Sequence, residues 1–195
     1  MASVIKVDQI QPRTGSLITV PSNNSVYITG HIVQVVNTYY SQPTSVGVNV
    51  SSPYTSYTDI PGVSASITPK SASSKIYITA RWTGELSPVN GMSWDSVWFV
   101  RRNGTPVNIA PQPGSLPVGT HMPSLSYYAG DNDSTAEHIF FDVWDTPATT
   151  STLTYQLSMA TSTGGTIYVN RCVNGTTSGG YERGTSSITL MEIAG

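Results

Sequence analysis

Ile76, Ile78, Ala80 and Trp82 alternate without a break against Lys75, Tyr77, Thr79, Arg81 and Thr83. An extended chain turns successive side chains to opposite faces, so this pattern predicts a strand with one buried and one polar face. A helical period would scatter the same four apolar residues around its circumference. The signature recurs. Residues 31–36 are apolar on both faces, residues 45–51 bring Val46, Val48 and Val50 to one side, and Val63, Ala65 and Ile67 line a further strand. Residues 94–102 predict a strand that turns at Asn103-Gly104, the dipeptide that most readily takes the positive φ angles of a tight hairpin, with residues 107–110 returning from it.

The later half follows the same rule. Residues 137–145 set Ile139, Phe141 and Val143 on one side and His138, Phe140, Asp142 and Trp144 on the other. So mixed a second face predicts partial burial, as at a subunit contact. Residues 152–160 turn Leu153, Tyr155, Leu157 and Met159 inward, and residues 166–170 predict a short strand. In residues 186–194, Ile188 and Leu190 share one face while Met191 and Ile193 share the other, which predicts a central strand. Turn-rich stretches at 52–61, 69–74, 85–93, 111–119, 130–134 and 174–184 separate these segments. About nine or ten strands with such punctuation predict an all-β protein, an antiparallel β-sandwich of jelly-roll type.

The first thirty residues differ from the rest. Val4, Ile5, Val7, Ile10, Leu17, Ile18, Val20, Val26 and Ile28 are their apolar members, too few and too small to enclose a core. Residues 1–30 are therefore expected to form an extended N-terminal arm that docks on other chains, and residues 31–195 the body.

Composition narrows the function classes. Only 10% of residues are charged and the net charge is −2, which argues against a phosphate-binding surface and hence against nucleic acid as a partner. Solubility must come from hydroxyl groups: the chain carries 27 Ser and 25 Thr. No window approaches the ~20 apolar residues of a membrane-inserted helix. The N-terminus lacks a secretory signal pattern, so a soluble protein made in a cytoplasm is expected. Cys172 is the single cysteine, expected as a buried filler, and an intramolecular disulfide is excluded.

Candidate chemistry is sparse. His31, His121 and His138 are too widely spaced for a local metal motif, and Glu137 faces away from His138 on a strand. Asp131-Asn132-Asp133-Ser134 opens like a calcium loop but lacks the glycine and glutamate that complete one. Asn23, Asn49, Asn103, Asn132 and Asn174 each begin an Asn-x-Ser/Thr triplet, a frequency close to chance in so hydroxyl-rich a chain. No catalytic residue, metal or cofactor is therefore expected, and no enzyme. Trp82, Trp94, Trp98 and Trp144 are expected to fill the sandwich and a subunit interface. Tyr39, Tyr40, Tyr127 and Tyr128 are the candidates for a glycan-stacking platform.

Four stretches carry a family likeness. Residues 3–11 (Ser-Val-Ile-Lys-Val-Asp-Gln-Ile-Gln), 58–80, 99–105 (Phe-Val-Arg-Arg-Asn-Gly-Thr) and the closing run between 166 and 193 resemble small structural proteins of tailed bacteriophages, notably those of cyanobacteria and marine bacteria. That resemblance implies a protein on the virion surface, assembled in the host cytoplasm. It would be a head decoration (cement) protein contacting the major capsid protein, or a short tail fibre among tail proteins. The Arg-Asn-Gly hairpin and hydrophobic last strand are also loosely similar to trimeric jelly rolls of the tumour-necrosis-factor and complement type, which implies a homotrimer. Two alternatives stand beside decoration: a tail fibre whose loops bind a host surface glycan, and a free carbohydrate-binding module.

Overall fold

The structure is a computed structural model, and its described residues are 26–48, 50, 56–87, 92, 95–114, 116–122, 134, 136–175 and 181–195. Of the expected arm contacts, Val4, Ile5, Val7, Ile10, Leu17, Ile18 and Val20 lie outside the described residues, as do Trp94, Tyr127, Tyr128 and residues 131–133. Ten strands are described: β1 (Ile32–Tyr40), β2 (Thr44–Gly47), β3 (Thr58–Ile67), β4 (Lys75–Ser87), β5 (Val97–Arg102), β6 (Thr105–Pro106), β7 (Glu137–Asp145), β8 (Leu153–Ala160), β9 (Thr166–Val169) and β10 (Ser186–Ile193). They form two antiparallel sheets. The larger runs β1-β10-β4-β9-β2 with β7 also on β4, and the smaller runs β3-β8-β5-β6. Setting aside short β2 and β9 leaves eight strands, lettered B to I in chain order. Their sheet orders are B-I-D-G and C-H-E-F, the jelly-roll arrangement.

The strand of unbroken alternation, β4, is the hub. Ile76, Ile78, Ala80 and Trp82 are buried between the sheets, facing Ile60, Val63, Val100, Tyr155, Leu157 and Met159 in one core. The Trp82 and Trp98 rings meet across the sheets at 4.9 Å. β4 pairs with β7 from Ile76 to Gly84, and with β10 from Lys75 to Arg81. Beyond Arg81, β10 gives way to β9, which pairs from Gly84 to Ser87. Asn170 closes this handover. Its backbone N–H donates to the Thr83 carbonyl, its side-chain amide donates to the carbonyls of Tyr40 and Gln42, and its side-chain oxygen accepts from Ser186. Asn170 has φ 61°, a left-handed geometry that Asn tolerates better than most residues. Gly84 lies where a Cβ would strike the Tyr168 carbonyl, so only glycine lets β9 approach.

Most strand expectations hold, but several bounds move. β2 ends at Gly47 instead of running through residues 45–51, and β5 begins at Val97 rather than at residue 94. β3, β4 and β1 extend further than expected. β3 begins at Thr58, inside the stretch read as a turn, because Pro61-Gly62 forms a bulge rather than an end: Gly62 has φ 74° and the ladder shifts register between Asp59 and Ser64. The Gln156 amide donates to the carbonyls of Ile60 and Val63 that the bulge leaves over. β4 runs past the predicted boundary at Thr83 to Ser87, and β1 continues to Tyr40 as one strand. The hairpin turns where expected, with Asn103 at φ 47° and Gly104 at φ 90°, but its return strand is Thr105–Pro106 rather than residues 107–110. β10 is central, between β1 and β4. Val26 and Ile28 are exposed, but Tyr27 bonds to Ser73 and Ser74, and Gly30 donates to Ala194. Residues 27–30 are thus tied to the body rather than set apart from it.

A polar clasp joins the sheets at one end. Arg102 of β5 donates two hydrogen bonds, 2.8 and 2.7 Å, to the carboxylate of buried Asp145 on β7, which also accepts from the Tyr155 hydroxyl at 2.7 Å. Burial, and then the bond to Asp145, push the Tyr155 phenol far above its usual range. Removing the acceptor by Asp145→Ala strands both donors. The expected loss is about 2–3 kcal/mol, at the low end for a broken buried pair because Arg102 is partly open to water. Tyr155→Phe should cost only about 1 kcal/mol, and urea midpoints of the two variants test this order.

His121 supplies a pH-dependent contribution. Its backbone pairs with Trp98 and its ring stacks on Phe141 at 5.5 Å, 10° from parallel. Burial holds its imidazole below the ordinary value of 6.5. The unfolded chain therefore takes up the proton first, and the stability present above about pH 6.5 is lost as the pH falls towards the folded value. Between about pH 7 and pH 5 the wild type should lose stability relative to His121→Phe. A stability difference that stays constant over that range would contradict it.

Candidate functional site: the outer face of the large sheet

The two outward faces of the sandwich differ in kind. On the smaller sheet the polar positions are satisfied among themselves. Ser66 meets Thr154 at 2.8 Å, Thr68 meets Thr152 at 2.8 Å, Ser158 donates to Asp59 at 2.7 Å, and Arg101 pairs with Asp59 at 3.1 Å. Phe99, which points outward there, is covered by Tyr57 and Ile109. That face is finished.

On the large sheet the register of four strands builds a different surface. Glu192, Leu190, Ile188 and Ser186 of β10 point inward, so the alternate positions point out. Val35, Met191, Tyr77 and Trp144 form one row across β1, β10, β4 and β7. Asn37, Thr189, Thr79 and Asp142 form the next, and Tyr39, Ser187, Arg81 and Phe140 the third. Two margins of this face are open to water: on β1, Ile32 is 57%, Val35 54% and Tyr39 62% exposed, and on β7, Phe140 is 61% and Trp144 46% exposed. The centre, on β10 and β4, is half-buried.

Local contacts pre-arrange the rings. Tyr77 packs on Trp144 at 4.8 Å between centroids. The Arg81 guanidinium lies 5.8 Å from the Tyr39 ring centre and donates to Thr185, whose hydroxyl donates to Tyr39 at 2.8 Å. The Thr185 bond, followed by Arg81, lowers the Tyr39 phenol from its usual value. Asn37 donates to Thr189 at 2.7 Å. These bonds fix rotamers before any partner arrives, which reduces the ordering cost of contact.

The sequence-predicted candidates are partly assembled here. Tyr39 lies on the exposed face, whereas its neighbour Tyr40 turns inward, packs against the core and covers Gly62. The two tyrosines therefore do not make one platform. Trp82 and Trp98 fill the core as expected, and Trp144 sits on the surface. His138 is exposed and Glu137 buried, as their alternation requires. Sequence reasoning set Tyr77 on the polar face of its strand without giving it a partner, and it missed Val35 as a surface residue. The signal for the β7 margin, the outward Phe140 and Trp144, was present in the alternation of residues 137–145.

Three buried carboxylates have backbone partners. The buried carboxylates Glu85, Glu137 and Glu192 accept from the backbone N–H groups of Val173, Leu86 and Lys70 respectively, and Glu192 also from Ser74. Cys172 is buried, and burial, with the Glu85 charge second, pushes its thiol up. Among the described residues no group of three His, Cys, Asp or Glu side chains converges to hold a metal ion. No family model and no curated protein sequence matches the chain.

The face makes a sharp contrast between neighbours in sequence. Phe140 and Trp144 look outward, so Phe140→Ser and Trp144→Ser should each change stability by less than about 1 kcal/mol. Phe141, one position on and 7% exposed, belongs to the core. Phe141→Ser should cost about 3–5 kcal/mol, and urea titration of the three variants checks the assignment.

Proposed function

We propose that this protein is a non-enzymatic structural component of a tailed-bacteriophage virion, acting as a homotrimeric decoration protein that stabilises the head. The observation that carries this reading is the outer face of the large sheet. A sandwich that leaves aromatic and aliphatic side chains exposed along two margins of one face is built to be covered by protein. The likeness of residues 3–11, 58–80, 99–105 and the closing strands to phage structural proteins supplies the setting. Binding to an assembled shell would stabilise it by linkage, because any protein that binds the assembled state and not the dissociated one shifts the balance towards assembly.

The residues preceding Val26 would then attach to the neighbouring capsid subunits. A second reading keeps the same fold and setting but places the protein in a short tail fibre, with exposed Tyr39 beside Arg81 as the observation that favours contact with a host glycan.

Quantitative mass spectrometry of purified virions, normalised to the major capsid protein, decides between them. Decoration requires a copy number comparable to that of the capsid protein. A count far below it moves the protein to the tail, and absence from the particle overturns both readings.

A further inference from the structure

We infer that residues 3–10 of the chain lie along the outer edge of its own β1, as a further strand of the large sheet. The edges themselves point to it. Five strands have an edge without a strand partner among the described residues: β1, β2 and β7 in the large sheet, β3 and β6 in the smaller. An open edge is a template for pairing, and natural sheets blunt it by shortness, proline, bulges or charge. Four of the five are blunted. β2 has four residues, and β6 has two, of which Pro106 is the second. β3 carries Asp59 and the Pro61-Gly62 bulge. β7 carries Glu137, Asp142 and Asp145, and its Trp144 carbonyl accepts from the Asn108 amide. β1 has none of these devices over most of its length. Its nine residues include no charge, proline or glycine, and its ladder to β10 is regular from Gln34 to Tyr40.

The core is also thin beneath β1. The inward side chains of β10, Ser186, Ile188, Leu190 and Glu192, are fully buried, whereas their neighbours on β1, Tyr40, Thr38, Val36 and Gln34, are only half-buried. One more strand beyond β1 would cover them. Residues 3–10 have the sequence for it: no proline or glycine, four β-branched residues, and an alternation that sets Ile5 and Val7 on one face and Lys6 and Asp8 on the other. The first face suits the half-buried side. The second suits the outer face, where the Arg81 guanidinium over Tyr39 is the complement of Asp8. Length agrees as well. The described chain enters the body at the Ile32 end of β1, where Gly30 donates to Ala194 and Tyr27 bonds to Ser73 and Ser74. Residues 11–25 then span up to ~50 Å, against ~30 Å for the whole of β1. The segment reaches this edge without leaving its own molecule.

This inference goes beyond the virion reading and does not depend on it. Where that reading holds, docking on a shell exchanges a strand paired in the free protein for contacts with capsid subunits.

Hydrogen–deuterium exchange of the full chain, read by mass spectrometry over residues 32–40, tests it. Pairing on both edges should protect the β1 amides that face away from β10, and to the same degree at every protein concentration. Lys6→Pro and Val7→Pro are the variants. Successive residues turn their N–H groups to opposite sides of a strand, so one of the two removes a donor from the ladder. In that variant residues 32–40 should exchange at least ~10-fold faster, with residues 153–160 of the core unchanged. A synthetic peptide of residues 1–12, added in excess, should restore the slow rate. Fast exchange of every amide of residues 32–40 outside the β10 ladder in the wild type overturns the inference, and so does protection that survives both prolines. Protection that rises with protein concentration assigns the edge to a second copy and overturns it equally. None of these outcomes touches the virion reading, which the copy-number measurement tests separately.

Discussion

Backbone hydrogen bonding along β4 is the constraint on which the rest of the structure depends. A thirteen-residue strand in the middle of a sheet must satisfy donors and acceptors on both edges, and no single neighbour here is long enough to do so. β7 serves one edge. On the other, β10 and β9 divide the length between them, and the break falls at Trp82–Thr83. Asn170 and Ser186 supply the bonds that neither strand can, Ser186 accepting from the Thr83 N–H at 3.1 Å. Because Asn170 also holds the carbonyls of Tyr40 and Gln42, the same residue fixes the exit of β1. One buried residue, through its backbone and its side chain, therefore ties together the ends of β1, β4, β9 and β10.

That arrangement explains how the outer face comes to exist. Tyr77 and Trp144 are 67 residues apart in the chain and meet only because Ile76 opposes Asp145 in the ladder. A slip of one residue would turn Phe141 and Val143 outward and bury Phe140 and Trp144 instead. The buried clasp of Asp145 with Arg102 and Tyr155 opposes such a slip, since a shifted Asp145 would lose both partners in the other sheet. Core register and surface chemistry are thus specified by the same contacts.

Much of the architecture was legible in the alternation. β7, and β4 as far as Thr83, announce themselves because each of their faces meets uniform surroundings over that length, and Asn103-Gly104 marks its own turn. What remained hidden depends on partners distant in sequence. Pro61-Gly62 looks like a terminator by composition, yet Gln156, nearly a hundred residues later, accommodates the bulge within a continuous strand. Gly84, Glu85 and Leu86 break the period because that end of β4 is enclosed on all sides, with the Glu85 carboxylate bonded to the backbone of the segment after β9. Of the candidate tyrosines, alternation alone separates Tyr39 from Tyr40. The pairing of Tyr77 with Trp144 needs the ladder register, which the long connection between β5 and β7 conceals.

The position of β10 bears on how the protein comes into being. It is the last strand of the fold to be made and it lies between the first strand and the hub. While the ribosome is still working through the preceding segments, β1 has no sheet neighbour among the described residues and part of one edge of β4 is bare. Contacts of such long sequence separation form slowly, and a bare edge is a template for pairing with other nascent chains. The large sheet is therefore completed only once β10 has been made. On a polysome, where identical chains emerge side by side, the scarcity of charge on this protein leaves chaperones rather than mutual repulsion to keep them apart.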